Sequence, residues 1–283
     1  MTSKKKAALT SIVAAVFLTS MKFVVGILTS SLGILSEALH SLLDLLAAMI
    51  TFISVSISDK PADKEHQYGH GKIENLSAFF ESILLVVTCI WIIYEAISRL
   101  ISGNTAIQVT VWSYLVVLTA MAVDFGRSRI LFRAAKRNNS QALEADAIHF
   151  STDILSSGVV LLGLICANFG YHKADSISAL GVAVIVLGIS YRLGKRAIDV
   201  LLDKVPEGLT EKIESELKSN KDIVCYHNLK VRVAGPDTFV EINVHLHPHI
   251  DLETAHGICN KIEKDMSSLI PRCMTIVHAE PDE

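Results

Sequence analysis

Two nine-residue stretches carry the same chemistry at the same spacing. SEALHSLLD, residues 36 to 44, and ADAIHFSTD, residues 145 to 153, each lie within an apolar run and each set an acid, a histidine and an aspartate at positions i, i+3 and i+7. On a helix that spacing places Glu37, His40 and Asp44 on one face, and Asp146, His149 and Asp153 on one face of another. A charged side chain at the centre of a bilayer costs about 2.5–3.5 kcal/mol even on lenient insertion scales, so these groups should face each other or a wet cavity. A single HxxxD would suit an interhelical hydrogen bond or a proton relay. Two of them supply four nitrogen and oxygen ligands, the number a tetrahedral Zn²⁺ takes, and the ion offsets the cost of burying the carboxylates. His40, Asp44, His149 and Asp153 are therefore the expected ligands, with Glu37 and Asp146 as supporting or access-path groups.

A purely structural site would be closed and would need no set of spans around it. A transport site must strip an ion of water and then release it. A neutral imidazole nitrogen binds metal, and near its unperturbed pKa of about 6.5 protons compete for the same lone pair. The expected process is metal leaving the cytoplasm in exchange for an inward proton, with His40 and His149 as the competing groups.

A third group lies in PADKEHQYGHGKIE, residues 61 to 74, where Asp63, His66 and His70 are separated by three and four residues. One helical turn brings them together, and Gly69 and Gly71 let the chain bend around an ion. A hydrated surface loop has the same composition.

The elements that must hold these groups follow from the apolar pattern. With 51% hydrophobic and only 19% charged residues among 283, the chain does not fit an ordinary soluble domain. Weakly charged runs at residues 7–28, 32–57, 76–98, 109–131, 142–168 and 174–198 are each long enough to cross a hydrocarbon core of about 30 Å, which predicts six spans. Lys4, Lys5 and Lys6, Lys60, Lys64 and Lys72, Arg127 through Arg137, and Arg192 through Lys204 fall on one side, while the other has little beyond Arg99 and Lys173. Both termini are thus expected in the cytoplasm. Span one runs too far for a secretory signal and no small-residue cleavage site ends it. Lys22 within it is expected to snorkel to the outer interface. Cys89, Cys166, Cys225, Cys259 and Cys273 include no CxxC pair; the first two read as small packing residues and stable disulfides are not expected.

From Pro206 onward charge returns and no run could span a bilayer, giving a membrane domain over 1–205 and a soluble domain over 206–283. A helix from about Thr210, with Thr210 as cap, precedes the strands CYHNLKVRVAG and TFVEINVHLH around the turn AGPDT. A helix over about 252–267 and a final strand CMTIVHAE complete a small αββαβ layer whose limited core favours pairing with a second copy.

The paired HSLLD and HFSTD motifs, the six predicted spans, the PADKEHQYGHGKIE loop and the histidine-bearing tail together resemble the cation diffusion facilitator family of proton-coupled divalent metal exporters, over almost the full length. The resemblance implies an α-helical membrane domain with a metallochaperone-like α/β cytoplasmic domain, assembled as a homodimer. It implies that His40, Asp44, His149 and Asp153 hold the transported ion, and that Asp63, His66 and His70 form a weaker zinc site. Lys72 is then expected to pair with Asp203. In the tail, His227, His256, His278 and Glu280 fall on zinc-binding positions, but Asn243 stands where relatives have a histidine. His245 or His247, on the same face of a regularly alternating strand, are the candidate substitutes. His40 in place of a carboxylate resembles the zinc-selective type. Zn²⁺ is thus the expected cargo and regulatory ligand, with Fe²⁺, Mn²⁺, Co²⁺ or Cd²⁺ as the alternative cargo. A non-transporting metal sensor or scaffold is more remote. No HExxH or equivalent supports a membrane metallohydrolase. A bacterial inner membrane is the expected location, membrane lipid, metal ions and protons are the expected partners, and no nucleic acid is expected.

Overall fold

In a computed structural model, residues 2–29, 32–102, 111–168 and 174–282 are described. The expected start of span four at residue 109, and Lys173, lie outside them. The chain divides into two compact units, Met1–Lys60 with Ile73–Ile198, and Pro61–Lys72 with Asp199–Glu283.

The first unit is built from six long helices, α1 (Ser3–Leu28), α2 (Leu32–Ser58), α3 (Lys72–Ser102), α4 (Val111–Asn138), α5 (Gln141–Asn168) and α6 (Ala174–Leu201). Contacts run α1 to α2, α4 to α5, α1 to α4 and α2 to α5, closing a ring of four. Small residues make the close approaches: Ala7 and Ala8 meet Ala134, Ala135, Ala142 and Ala147 around Val55, Leu131 and Phe150. Ala78, Leu85 and Cys89 of α3 pack with Ala145 of α5 and with Val186, Leu193 and Ala197 of α6.

Among the described residues, α1, α2, α3 and α6 are the helices long and apolar enough to cross a membrane by composition. The expectation of six spans is thereby corrected to four. α4 carries Asp124, Arg127, Arg129 and Arg133, and its mean apolarity is the lowest of the six; α5 carries Glu144, Asp146 and Asp153 in its N-terminal half.

Three positive charges are buried against partners that the sequence does not reveal. Lys4 is not a free flanking charge; it is buried, with Nζ 2.6 Å from Asp59 and 2.8 Å from Glu74. Lys22 does not snorkel outward. It is buried and donates to Ser41 Oγ at 2.8 Å and to Glu37 Oε2 at 3.2 Å, two oxygens offered by α2 where it packs on α1. Arg127, inside the expected fourth span, is buried; its guanidinium lies 3.4 Å from the centroid of Phe150 and donates to Asp124 at 3.2 Å and to Ser11 Oγ at 3.1 Å.

In the second unit, α7 (Leu209–Ser219), β1 (Cys225–Ala234), β2 (Asp237–Leu246), α8 (Leu252–Leu269) and β3 (Cys273–Pro281) follow the expected order. β1 and β2 are antiparallel, β2 and β3 parallel, and α8 is the crossover. Thr210 is not the cap of α7. Gly208 holds that position at φ 77°, a left-handed conformation glycine adopts without a Cβ clash. Along β2 the even-numbered residues are buried, and Val240, Ile242, Val244 and Leu246 pack against Ile213 and Leu217 of α7 and Ile262 and Met266 of α8. The odd-numbered face is thus turned away from both helices.

Clean alternation fails in β1. The register shifts between His227 and Lys230, and Asn228 takes φ 54°, a conformation Asn tolerates better than most residues. Before this bulge Tyr226 faces Val244 in the core and Cys225 and His227 face outward; after it Val231 pairs with the core residue Val240.

Candidate metal centre

α2 and α5 bring together the two polar faces that the sequence singles out. Single ligand atoms of Asp44, His149 and Asp153 lie within 4.8 Å of one another. His149 Nε2 is 3.2 Å from Asp44 Oδ1 and 3.6 Å from Asp153 Oδ2, and the His149 side chain is 5% exposed. His40 stands one step away, its Nε2 3.9 Å from Asp44 Oδ1, so the fourth expected ligand borders the group without joining it. Nδ1 of His149 finds no hydrogen-bond partner among the described residues, which leaves the imidazole held through Nε2 alone. A cavity lined by Thr88, Cys89 and Ile92 of α3 and Val182 of α6 reaches His149 and Asp153.

The two expected supporting acids differ. Glu37 is bound to Lys22 with its side chain 57% exposed, whereas Asp146 is fully buried and accepts from Ser11 Oγ at 3.1 Å. Glu81 of α3 was not foreseen. It is fully buried, accepts a hydrogen bond from Thr51 Oγ1, and its other oxygen is unpartnered among the described residues. An acid inside an apolar run, it could have been found by the same cost of burial that picks out Asp146. Arg127 could have been found likewise, since it falls inside the expected fourth span.

In the loop of the second unit, Asp63, His66 and His70 also gather within 4.8 Å. Asp63 Oδ1 accepts from the backbone N–H of His66 at 2.7 Å and of Glu65 at 3.0 Å, while Oδ2 lies 3.4 Å from His70 Nε2. The His66 N–H holds the Asp63 carboxyl below the usual carboxylate range, with a smaller contribution from Glu65, so it stays an acceptor. Unforeseen is the seating of the loop on the β1–β2 hairpin. Tyr68 meets Phe239 edge-on with centroids 5.2 Å apart, and Arg232 lies 3.4 Å from the Tyr68 ring centroid. Lys72 Nζ is 2.7 Å from Asp203 Oδ1, within the same unit.

Of the tail positions the resemblance implies, His227 and His278 both approach Glu280, at 3.7 and 3.5 Å, and His256 does not. His227, His245 and Glu280 lie within 4.8 Å of one another, and His278 is 3.5 Å from Glu280. His256 joins none of the groups among the described residues: it is exposed on α8, and α8 packs on the opposite face of the sheet. Asn243 donates to Glu280 Oε1 at 2.7 Å, and His245 takes the place beside His227, Nε2 to Nδ1 3.2 Å. His247 is exposed and joins no group among the described residues.

Comparison with known proteins places these clusters in a context. Residues 8–202 match the family model of the cation efflux transmembrane domain, and residues 205–282 that of the cation efflux protein cytoplasmic domain. The chain is 30% identical over 281 residues to the cation-efflux pump FieF of Cronobacter sakazakii, covering 98% of this chain and 92% of that one. It is 29% identical over 281 residues to FieF of Citrobacter koseri, with the same coverage of 98% and 92%. A solved structure described as "Mode of Action of a Putative Zinc Transporter CzrB" is 27% identical over 28% of this chain and 99% of that one, with a TM-score of 0.27.

Proposed function

Because the chain belongs to the cation diffusion facilitator family of cation-efflux transporters, we propose that it exports Zn²⁺ from the cytoplasm in exchange for protons. The observation that carries this reading is the buried group Asp44, His149 and Asp153, contributed by two helices that contact each other. His40 completes a four-ligand set when α2 and α5 close around the ion, and two imidazoles with two carboxylates suit Zn²⁺ better than Mg²⁺ or Ca²⁺.

The exchange follows from which atoms are used. His149 Nε2 faces Asp44 at hydrogen-bonding distance, so a proton between them occupies the lone pair that a cation needs. Metal binding displaces that proton, and protonation from the far side releases the metal. Alternation between two arrangements of the helices exposes the group to each side in turn. Under this reading both termini are cytoplasmic. The charges on α4 and α5 are sheltered inside the helical unit: Arg127 by Asp124 and Ser11, and Asp146 by Ser11.

Residues 1–205 carry transport, and residues 206–283 regulate it and pair two copies as a homodimer, with Lys72 paired to Asp203. Asp63, His66 and His70 form a weaker site that collects ions. His227, His278 and Glu280 are the regulatory ligands. A bacterial inner membrane is the setting, in keeping with the bacterial relatives.

The test is metal uptake into reconstituted vesicles under an imposed proton gradient, comparing Zn²⁺, Cd²⁺, Co²⁺, Fe²⁺ and Mn²⁺ for the native chain and Asp153→Ala. Zn²⁺ uptake lost in the variant is expected. Preferential uptake of Fe²⁺ or Mn²⁺ overturns the cargo, and binding without uptake overturns transport.

A further inference from the structure

The outward face of the tail sheet holds another set of donors beside His227 and Glu280. β1 and β2 pair Cys225 with His245, and β2 and β3 pair His245 with Glu280. Just past β3, Asp282 is tied back by its N–H, which donates to the Leu246 carbonyl at 2.9 Å. One atom each of Cys225, His245 and Asp282 lie within 4.8 Å of one another. We propose that Cys225, His245 and Asp282 form a thiolate-bearing site for a borderline or soft divalent cation such as Zn²⁺ or Cd²⁺, separate from the transported-ion site.

The two faces of the His245 ring support this assignment. Nε2 is directed to His227 Nδ1 at 3.2 Å and to Glu280 Oε2 at 3.4 Å. Nδ1 is buried, and its nearest carboxylate oxygen, from Asp282, is 3.6 Å away, too far for a hydrogen bond. A buried ring nitrogen left unpaired costs free energy, and a cation between it, the carboxylate and the thiol satisfies all three. Cys225 is exposed and in no disulfide, so its thiol is open to metal. A sulfur, a nitrogen and an oxygen ligand with one water make a four-coordinate zinc-type site, and the thiolate favours Zn²⁺ or Cd²⁺ over Mg²⁺ or Mn²⁺. Binding releases the thiol proton to solvent. It also ties the first residue of β1 to the segment after β3 across the middle strand.

The site is tested on the full chain in detergent by titration with Co²⁺, reading the near-ultraviolet charge-transfer absorption that only a thiolate ligand produces. Native protein, Cys225→Ser, His245→Ala, Cys89→Ser and Asp44→Ala are compared. Cys89 is included because its side chain lines the cavity beside His149. The band is expected in the native protein, Cys89→Ser and Asp44→Ala, lost in Cys225→Ser and weakened in His245→Ala, and removed by added Zn²⁺. Visible absorption from Co²⁺ at the remaining sites shows that Cys225→Ser still folds. Persistence of the band in Cys225→Ser, its loss in Cys89→Ser, or its absence from the native protein at saturating Co²⁺ overturns the proposal. Because Asp44→Ala keeps this readout, failure here is distinguishable from failure of the transport reading.

Discussion

His149 Nε2 and Asp44 Oδ1 lie 3.2 Å apart where α2 meets α5, so the contact that ties the two helices uses atoms a cation would take. Removing one partner leaves the other buried without its ligand. Asp44→Ala is expected to slow Zn²⁺ uptake into vesicles by more than the roughly 10–100-fold typical of groups that only support a ligand. Glu37→Gln, at an exposed side chain held by Lys22, is expected to slow it by less than about 10-fold. Equal effects of the two would remove the distinction.

Arg127 and Asp124 form a pair whose side chains are 3% and 10% exposed. Arg127→Ala leaves a buried carboxylate uncompensated and is expected to cost about 3–5 kcal/mol. Replacing both, as in Asp124→Leu with Arg127→Met, is expected to recover most of that loss. Unfolding in detergent measures both, and a double variant as unstable as Arg127→Ala would contradict the pairing.

Gly71 sits where a Cβ would lie 2.2 Å from the carbonyl oxygen of Ala234, a backbone atom that cannot swing aside. Gly71→Ala is expected to lift the loop from the hairpin at a cost of about 1–3 kcal/mol, in the range of overpacking. Faster hydrogen exchange across residues 61–72 is the readout. Tyr68→Ala should act in the same direction by removing the contacts with Phe239 and Arg232.

Asp251 caps α8 by accepting from the Thr254 N–H at 2.7 Å, and that bond lowers its pKa from 3.8. A depressed folded value means that the stabilisation is present above the unfolded pKa and is lost as pH falls through the folded one. Hydrogen exchange over α8 should therefore distinguish native protein from Asp251→Ala at neutral pH. The difference should shrink in strong acid; one that does not change with pH would contradict this account of the cap.

The paired HxxxD faces were legible because burying an acid in an apolar run is costly and two such runs at matched spacing have few uses. The tail elements were legible from alternation and turn residues. The left-handed Asn228 was not, since Asn tolerates that conformation without demanding it, and the resulting bulge decides which β1 residues face outward. The same limit hid the grouping of His227 with His245 and, among the described residues, the separation of His256 from them, which depend on the face of the sheet that α8 covers. The burial of Lys4, Lys22 and Arg127 was not legible, and Lys22 was misread as snorkelling outward, because counting charges along the chain does not show which find buried partners.

The most direct test of proton-coupled zinc export is to record internal pH and internal Zn²⁺ together in vesicles containing the native chain or His149→Ala. In the native chain, imposing a Zn²⁺ gradient should drive protons in the opposite direction, and a pH gradient alone should drive Zn²⁺ uphill. His149→Ala should lose both. Zn²⁺ movement in native vesicles with no opposing proton flux, or undiminished exchange in His149→Ala, would contradict the mechanism.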